Sequence, residues 1–195
     1  HDINHAIDYL HLHAQALGLD PERFAIAGSS AGGHLAALIG VSQGIDALSA
    51  PKQRVRSTNA ERTSSQPPKL KAIVSFFGAS NLQTILLQST PHGLGVRIPA
   101  LQLLLRGQPD QKSELARLAS PVTHVDHNDP PLLLLHGDQD PQMPINQSHE
   151  LEGAYNKVGG TVYFDVVHGG AHGGNRFFTE LQLDRVAKFI HASFA

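Results

Sequence analysis

Phe24-Ala25-Ile26-Ala27-Gly28-Ser29-Ser30-Ala31-Gly32-Gly33-His34-Leu35-Ala36 is the stretch that decides how this chain is read. A short apolar run stops at Gly28. Two serines and two glycines follow within five residues, and a run of helical composition begins at once. Gly28-Ser29-Ser30-Ala31-Gly32 fits G-x-S-x-G, the nucleophile-elbow pattern, in which a strand turns directly into a helix with one serine at the tip. Glycines two residues to either side are expected because a β-carbon would clash in so tight a turn. The register puts Ser30, not Ser29, at the tip. Gly40-Val41-Ser42-Gln43-Gly44 matches the same pattern but follows a helix, so it reads as a helix C-terminus with a chance serine.

Outward from the elbow, the chain alternates. Ile3, Ile7, Leu10, Ala14 and Leu17 keep a helical period that Gly18 closes, with Asp2 as a candidate cap. Arg23 to Ala27 reads as a short strand. Residues 44–68, rich in Ser, Gln, Arg and Pro, read as a surface excursion. Leu70 to Phe77 is the next strand. Residues 79–118 carry helical runs (Leu101, Leu104, Leu105, then Leu115 and Leu118) and read as a small cap or lid inserted between two strands. Leu132 to Leu135 is a buried strand ending in His136-Gly137-Asp138-Gln139-Asp140. A helix through Leu151, Ala154, Tyr155 and Val158 leads to a last strand, Thr161 to Val167. The loop His168-Gly169-Gly170-Ala171-His172-Gly173-Gly174 follows. Phe178, Leu181, Val186, Phe189 and Ile190 line a closing helix. This alternation predicts an α/β fold, a mainly parallel sheet with helices on both faces, with functional residues at the carboxyl ends of strands.

A chain of 195 residues with 41% hydrophobic and 16% charged residues reads as one globular domain over residues 1–195. A net charge of −2 argues against a nucleic-acid partner, and no apolar run is long enough for a membrane span. With no cysteine, disulfides and thiolate metal sites are excluded, while the compartment stays open. Thirteen histidines form no H-E-x-x-H or comparable ligand set, so no metal is expected.

A serine hydroxyl needs a base beside it, and the base needs an orienting acid. Serine, then acid, then histidine is the order for this architecture. Asp138 and Asp140 compete for the acid; Asp140 lies further out in its loop, and Asp138 is placed to hold the turn. His168 and His172 compete for the base; His172 lies among glycines that let the loop return toward Ser30. Asp140 and His172 are favoured. His136 and His34 are read as structural or pocket-lining.

GSSAGGHLAAL, SPVTHVDHNDPPLLLLHGDQDPQMPINQS and VVHGGAHGG together resemble the α/β-hydrolase fold carboxylesterases, nearest the hormone-sensitive-lipase-like and feruloyl- or acetylxylan-esterase-like groups. The resemblance runs through nearly the whole chain. It implies Ser30 as nucleophile, Asp140 of an H-G-x-x-D-x-x-V-P pattern as acid (Met143 replacing the usual Val) and His172 of G-x-x-H-G as base. It also implies the Ala31 backbone N–H as an oxyanion donor, no metal or organic cofactor, and a small-molecule or carbohydrate-linked ester as substrate. The departure is at the front. The family carries further strands and an H-G-G oxyanion loop before the first helix, and this sequence shows neither. The expectation is an N-terminally truncated form whose open sheet edge supports a homo-oligomer contact. Two rival readings are a prolyl-oligopeptidase-like serine peptidase, which usually carries an aromatic where this chain has Ala31, and a weakly active module that binds without turnover.

Overall fold

The computed structural model describes residues 2–45, 48 and 69–195. Most of the excursion at 44–68 therefore lies outside the described residues. The ordered chain runs α1 (Asp2–Leu12), α2 (Ala14–Leu17), β1 (Phe24–Ser29), α3 (Ala31–Val41) and β2 (Leu70–Phe76), then α4 (Ile85–Gln88), α5 (Pro91–Leu105) and α6 (Ser113–Leu118). It closes with β3 (Leu132–Gly137), α7 (Asn146–Val158), β4 (Val162–Val167) and α8 (Glu180–Ser193).

The four strands form one sheet in the order β1-β2-β3-β4, every neighbouring pair parallel. Parallel neighbours need crossovers, and α7 supplies the short one between β3 and β4. The inner strands explain their composition. Every residue of β3 is buried, and all of β2 except Lys71, so both read as continuous apolar runs rather than alternating ones. Side chains still alternate between faces. Ile73, Leu132 and Leu134 meet Ala37 and Val41 of α3 and Leu151 and Tyr155 of α7. Val74, Leu133, Leu135 and Val167 face Phe177 and, from α8, Val186, Phe189 and Ile190. Helices thus cover both faces, and this is the α/β-hydrolase fold. Burying each of these leucines is worth about 1.5–3 kcal/mol.

Three local expectations change. The first helix breaks at His13 into α1 and α2, and Asp2 is its first described helical residue rather than a cap preceding it. Gly18 does close it, at φ 69°. On α8 the covering residues are Val186, Phe189 and Ile190, while Leu181 points to solvent and the preceding Phe178, though half exposed, stacks its ring on Phe76. Helix α3 approaches the sheet through Gly33 and Gly40, not Gly32. A β-carbon on Gly40 would stand 2.1 Å from Ile73 Cδ1, one on Gly33 2.8 Å from the Phe76 carbonyl oxygen, and one on Gly32 in open space. The outer edge of β1 has no strand partner among the described residues. No helix among them is long and apolar enough to cross a membrane.

The segment between β2 and β3 has a core of its own. Ala79, Leu82, Ile85, Leu101, Leu105 and Ala116 cluster with Met143. Its root is latched to α7. The Gln147 side-chain carbonyl accepts the N–H groups of Ser80 and Asn81 at 2.9 and 2.8 Å, and its amide donates to Gln88 Oε1 at 2.7 Å. Glu150 accepts from Thr84 Oγ1 and from the Gln88 amide.

Just before β3, burial and the neighbouring Asp126 push the Asp129 carboxyl up to about 6 from 3.8. The folded protein therefore holds this proton more tightly than the unfolded chain, so stability falls as pH rises from about 4 to about 6. Asp129→Asn keeps an oxygen for the Asp126 N–H, now 2.8 Å from Asp129 Oδ2. It should raise stability by on the order of 1 kcal/mol at pH 7, solvent screening included, and leave it unchanged at pH 4. Denaturant unfolding at the two pH values checks this.

Candidate active site

The elbow is built by close contact. Gly28 lies next to the end of β1, where a β-carbon would stand 2.2 Å from the Gly32 carbonyl oxygen. Only glycine allows the helix to start so near the strand it leaves. Ser30 takes φ 54° and ψ −117°, a conformation costing about 1–3 kcal/mol for a residue with a side chain. It is held there because its N–H donates to the Phe76 carbonyl of β2 at 2.9 Å and its carbonyl accepts the His34 N–H at 3.0 Å. Ala31, the first residue of α3, keeps an N–H with no acceptor inside the helix.

Three loops at the carboxyl ends of the strands meet at this serine. Ser30 Oγ lies 2.8 Å from His172 Nε2, and His172 Nδ1 lies 2.7 Å from Asp140 Oδ2. An ionised carboxylate only accepts hydrogen bonds, so Nδ1 carries the proton and the Nε2 lone pair faces the hydroxyl. The imidazole is 13% exposed and the Asp140 side chain 0%. Burial alone would raise the Asp140 carboxyl. Hydrogen bonds from His136, His172 and the N–H groups of Met143 and Gln142 outweigh it and hold the group well below the usual carboxylate range. It stays ionised through the neutral range, ready to balance a charge on His172.

The rival pair lies beside this line and makes a different bond. Asp138 Oδ2 lies 2.8 Å from His168 Nδ1, and Asp138 Oδ1 accepts the Gly169 N–H at 2.7 Å. His168 is 86% exposed there. These two bonds hold the Asp138 carboxyl below its usual range. Asp138 therefore ties the acid-bearing loop to the histidine-bearing loop, while its neighbour two residues on faces Ser30 through His172. A third tie is steric. Gly137 passes so close to the second loop that a β-carbon would stand 2.1 Å from the Gly170 carbonyl oxygen.

Two residues behind the acid, named in the sequence but without an assigned contact, support it. His136 is fully buried, with Nε2 3.0 Å from the Met143 carbonyl and 3.4 Å from Asp140 Oδ2. The carbonyl can only accept, so Nε2 carries a proton that also faces the carboxylate, and Nδ1 meets Ser148 Oγ at 2.7 Å. Met143 inserts into the core of the segment between β2 and β3. Both stand in the H-G-x-x-D-x-x-V-P pattern, which marks their places but not their contacts. His34, read as structural or pocket-lining, faces the Ala79 carbonyl through Nδ1 at 3.1 Å, the structural alternative; burial holds it below the usual imidazole range despite that bond. Ser42 of the second G-x-S-x-G match is buried at the end of α3. Among the described residues no three His, Asp or Glu side chains gather as a metal site.

Comparisons with known proteins place the chain in a family and a fold. The family model described as BD-FAE matches residues 1–155. A curated relative, the probable carboxylic ester hydrolase LipM of Mycobacterium tuberculosis, is 31% identical over 75% of this chain and 31% of its own. The chain thus spans about a third of the curated relatives it matches. A solved structure, the truncated form of a carbohydrate esterase from gut microbiota, is 28% identical with a TM-score of 0.82, over 99% of this chain and 67% of that one. Esterase 2 of Thermogutta terrifontis, 23% identical with a TM-score of 0.70, over 98% of this chain and 62% of that one, shares the fold.

Replacing the two aspartates should separate them. Asp140→Asn should lower kcat by about 10⁴-fold, because an amide can donate to Nδ1 and favour the wrong imidazole tautomer. Asp138→Asn leaves that line intact and should cost less than about 10-fold. Steady-state kinetics on one ester substrate would decide it, and equal losses would assign both to one function.

Proposed function

Because the chain belongs to the BD-FAE family, we propose that it hydrolyses carboxylic esters through Ser30, His172 and Asp140. The observation that carries this reading is the continuous line of 2.8 and 2.7 Å hydrogen bonds starting at a strained elbow serine. Ser30 Oγ attacks the ester carbonyl while His172 Nε2 takes its proton. Asp140, already ionised and fully hydrogen-bonded, balances the imidazolium and keeps the ring in its tautomer. The Ala31 N–H at the start of α3 donates to the tetrahedral oxyanion, and the partial positive charge of the helix start adds to it. His172 then returns the proton to the leaving alkoxide. Water, deprotonated by the same imidazole, releases the acid from the acyl-enzyme.

A carbohydrate-linked ester is the substrate class we favour. Its support is the likeness to a carbohydrate esterase, and to a bifunctional GH43-CE protein of Bacteroides eggerthii at 27% identity and a TM-score of 0.78. We assign residues 79–118 to a cap over the alcohol side of the substrate. This assignment is supported by the contact of α5 with the acid loop, where Thr90 Oγ1 donates to the Pro141 carbonyl at 2.6 Å.

Ser30→Ala should lower kcat/KM toward a short-chain aryl ester by at least about 10³-fold and abolish covalent labelling by a fluorophosphonate probe. Retention of most turnover, with unchanged labelling, would remove Ser30 from the mechanism.

A further inference from the structure

Among the described residues, Phe77 is the one bulky residue outside the elbow whose backbone is forced into the left-handed region beside the site, at φ 39°. A β-branched or aromatic residue adopts this region only when its surroundings impose it. The consequence is visible in the packing. Successive residues of a strand face opposite sides of a sheet, so after Phe76 on the α8 face the next ring belongs on the α3 face. Both Phe76 and Phe77 instead lie in the α8-side cluster. The left-handed turn brings the second ring back, and the Phe77 N–H bond to the Leu135 carbonyl at 2.7 Å holds it there.

What the ring reaches is His172. The centroids lie 4.8 Å apart with the planes at 63°, and Phe177 stands 4.8 Å behind Phe77 at 69°. This contact answers a specific need. His172 stands in a loop whose Gly169, Gly173 and Gly174 all have φ between 69° and 96°; Asp138 and Gly137 tie the start of that loop, but these ties act on its backbone and not on the imidazole. Its hydrogen bonds to Ser30 and Asp140 lie at Nε2 and Nδ1, and together they leave the ring free to swing about the axis through those two atoms. A ring set across the imidazole plane blocks that swing.

We propose that Phe77 is a positioning residue for His172: its strained backbone sets an aromatic wall that keeps the imidazole aligned between Ser30 and Asp140. The proposal rests on His172 acting as the base.

Phe77→Leu is the test, and Phe177→Leu is its control. The control opens comparable space in the same cluster without touching the imidazole, so it reports general loosening. We expect Phe77→Leu to lower kcat by about 10- to 100-fold with KM within about twofold. Phe177→Leu should lose similar thermal stability and less than about threefold in kcat. The second readout needs no turnover: the downfield proton NMR signal of the His172 Nδ1–H, identified by its loss in His172→Gln, should broaden in Phe77→Leu and persist in Phe177→Leu. Equal loss of kcat in both variants, or an unchanged His172 signal in Phe77→Leu, would overturn the proposal. A wild-type protein that neither turns over esters nor labels at Ser30 would defeat the hydrolase reading instead, and the NMR comparison would still decide the role of Phe77.

Discussion

A carboxylate with no exposed surface must find its hydrogen bonds inside the protein, and Asp140 obtains them from several directions. The Gln142 and Met143 N–H groups reach Oδ1 at 2.8 Å each from its own loop. His172 reaches Oδ2 from the loop after β4, and His136 approaches the same oxygen from the end of β3. Leaving such a charge unpaired in the interior would cost several kcal/mol. The arrangement of the loops follows from this demand. The acid fixes the histidine, the histidine fixes the position at which a serine can be used, and the elbow delivers Ser30 to that position by straining one residue.

The parts of this arrangement that were legible in sequence are those encoded by sharp local chemistry. Gly28 marked the elbow because a β-carbon there has nowhere to go. Leu132 to Leu135 announced a central parallel strand because a strand buried on both faces has no polar side to display. The strand ends pointed to two loops, and within them Asp140 stood out over Asp138 for lying further out and His172 over His168 for the glycines around it.

What stayed hidden depends on who faces whom. His136 read as structural or pocket-lining among thirteen histidines, but nothing local reveals that its Nε2 is shared between a carbonyl and the acid. Phe77 looked like the end of a strand, because a single left-handed φ leaves no compositional trace when the residue is not glycine. Gly32 misled in the opposite sense: it completes the motif, yet the space beside it is open. The apolar spacing of Leu181 suggested a buried face, but the helix turns on Val186, Phe189 and Ile190, and Leu181 falls beyond the edge of what it covers.

Met143 connects matters that a linear reading keeps apart. It belongs to the loop of Asp140 by covalent sequence and to the core of residues 79–118 by packing, while Gln147 and Glu150 latch the root of that same segment to α7. Elements that share a core and a polar latch open as one cooperative unit. The segment between β2 and β3 is therefore no independent flap. Any event that pries it open, including the entry of a bulky ligand, strains the support of the acid. Over evolutionary time, sequence drift in that segment would be constrained from the acid side even at positions far from any bound molecule.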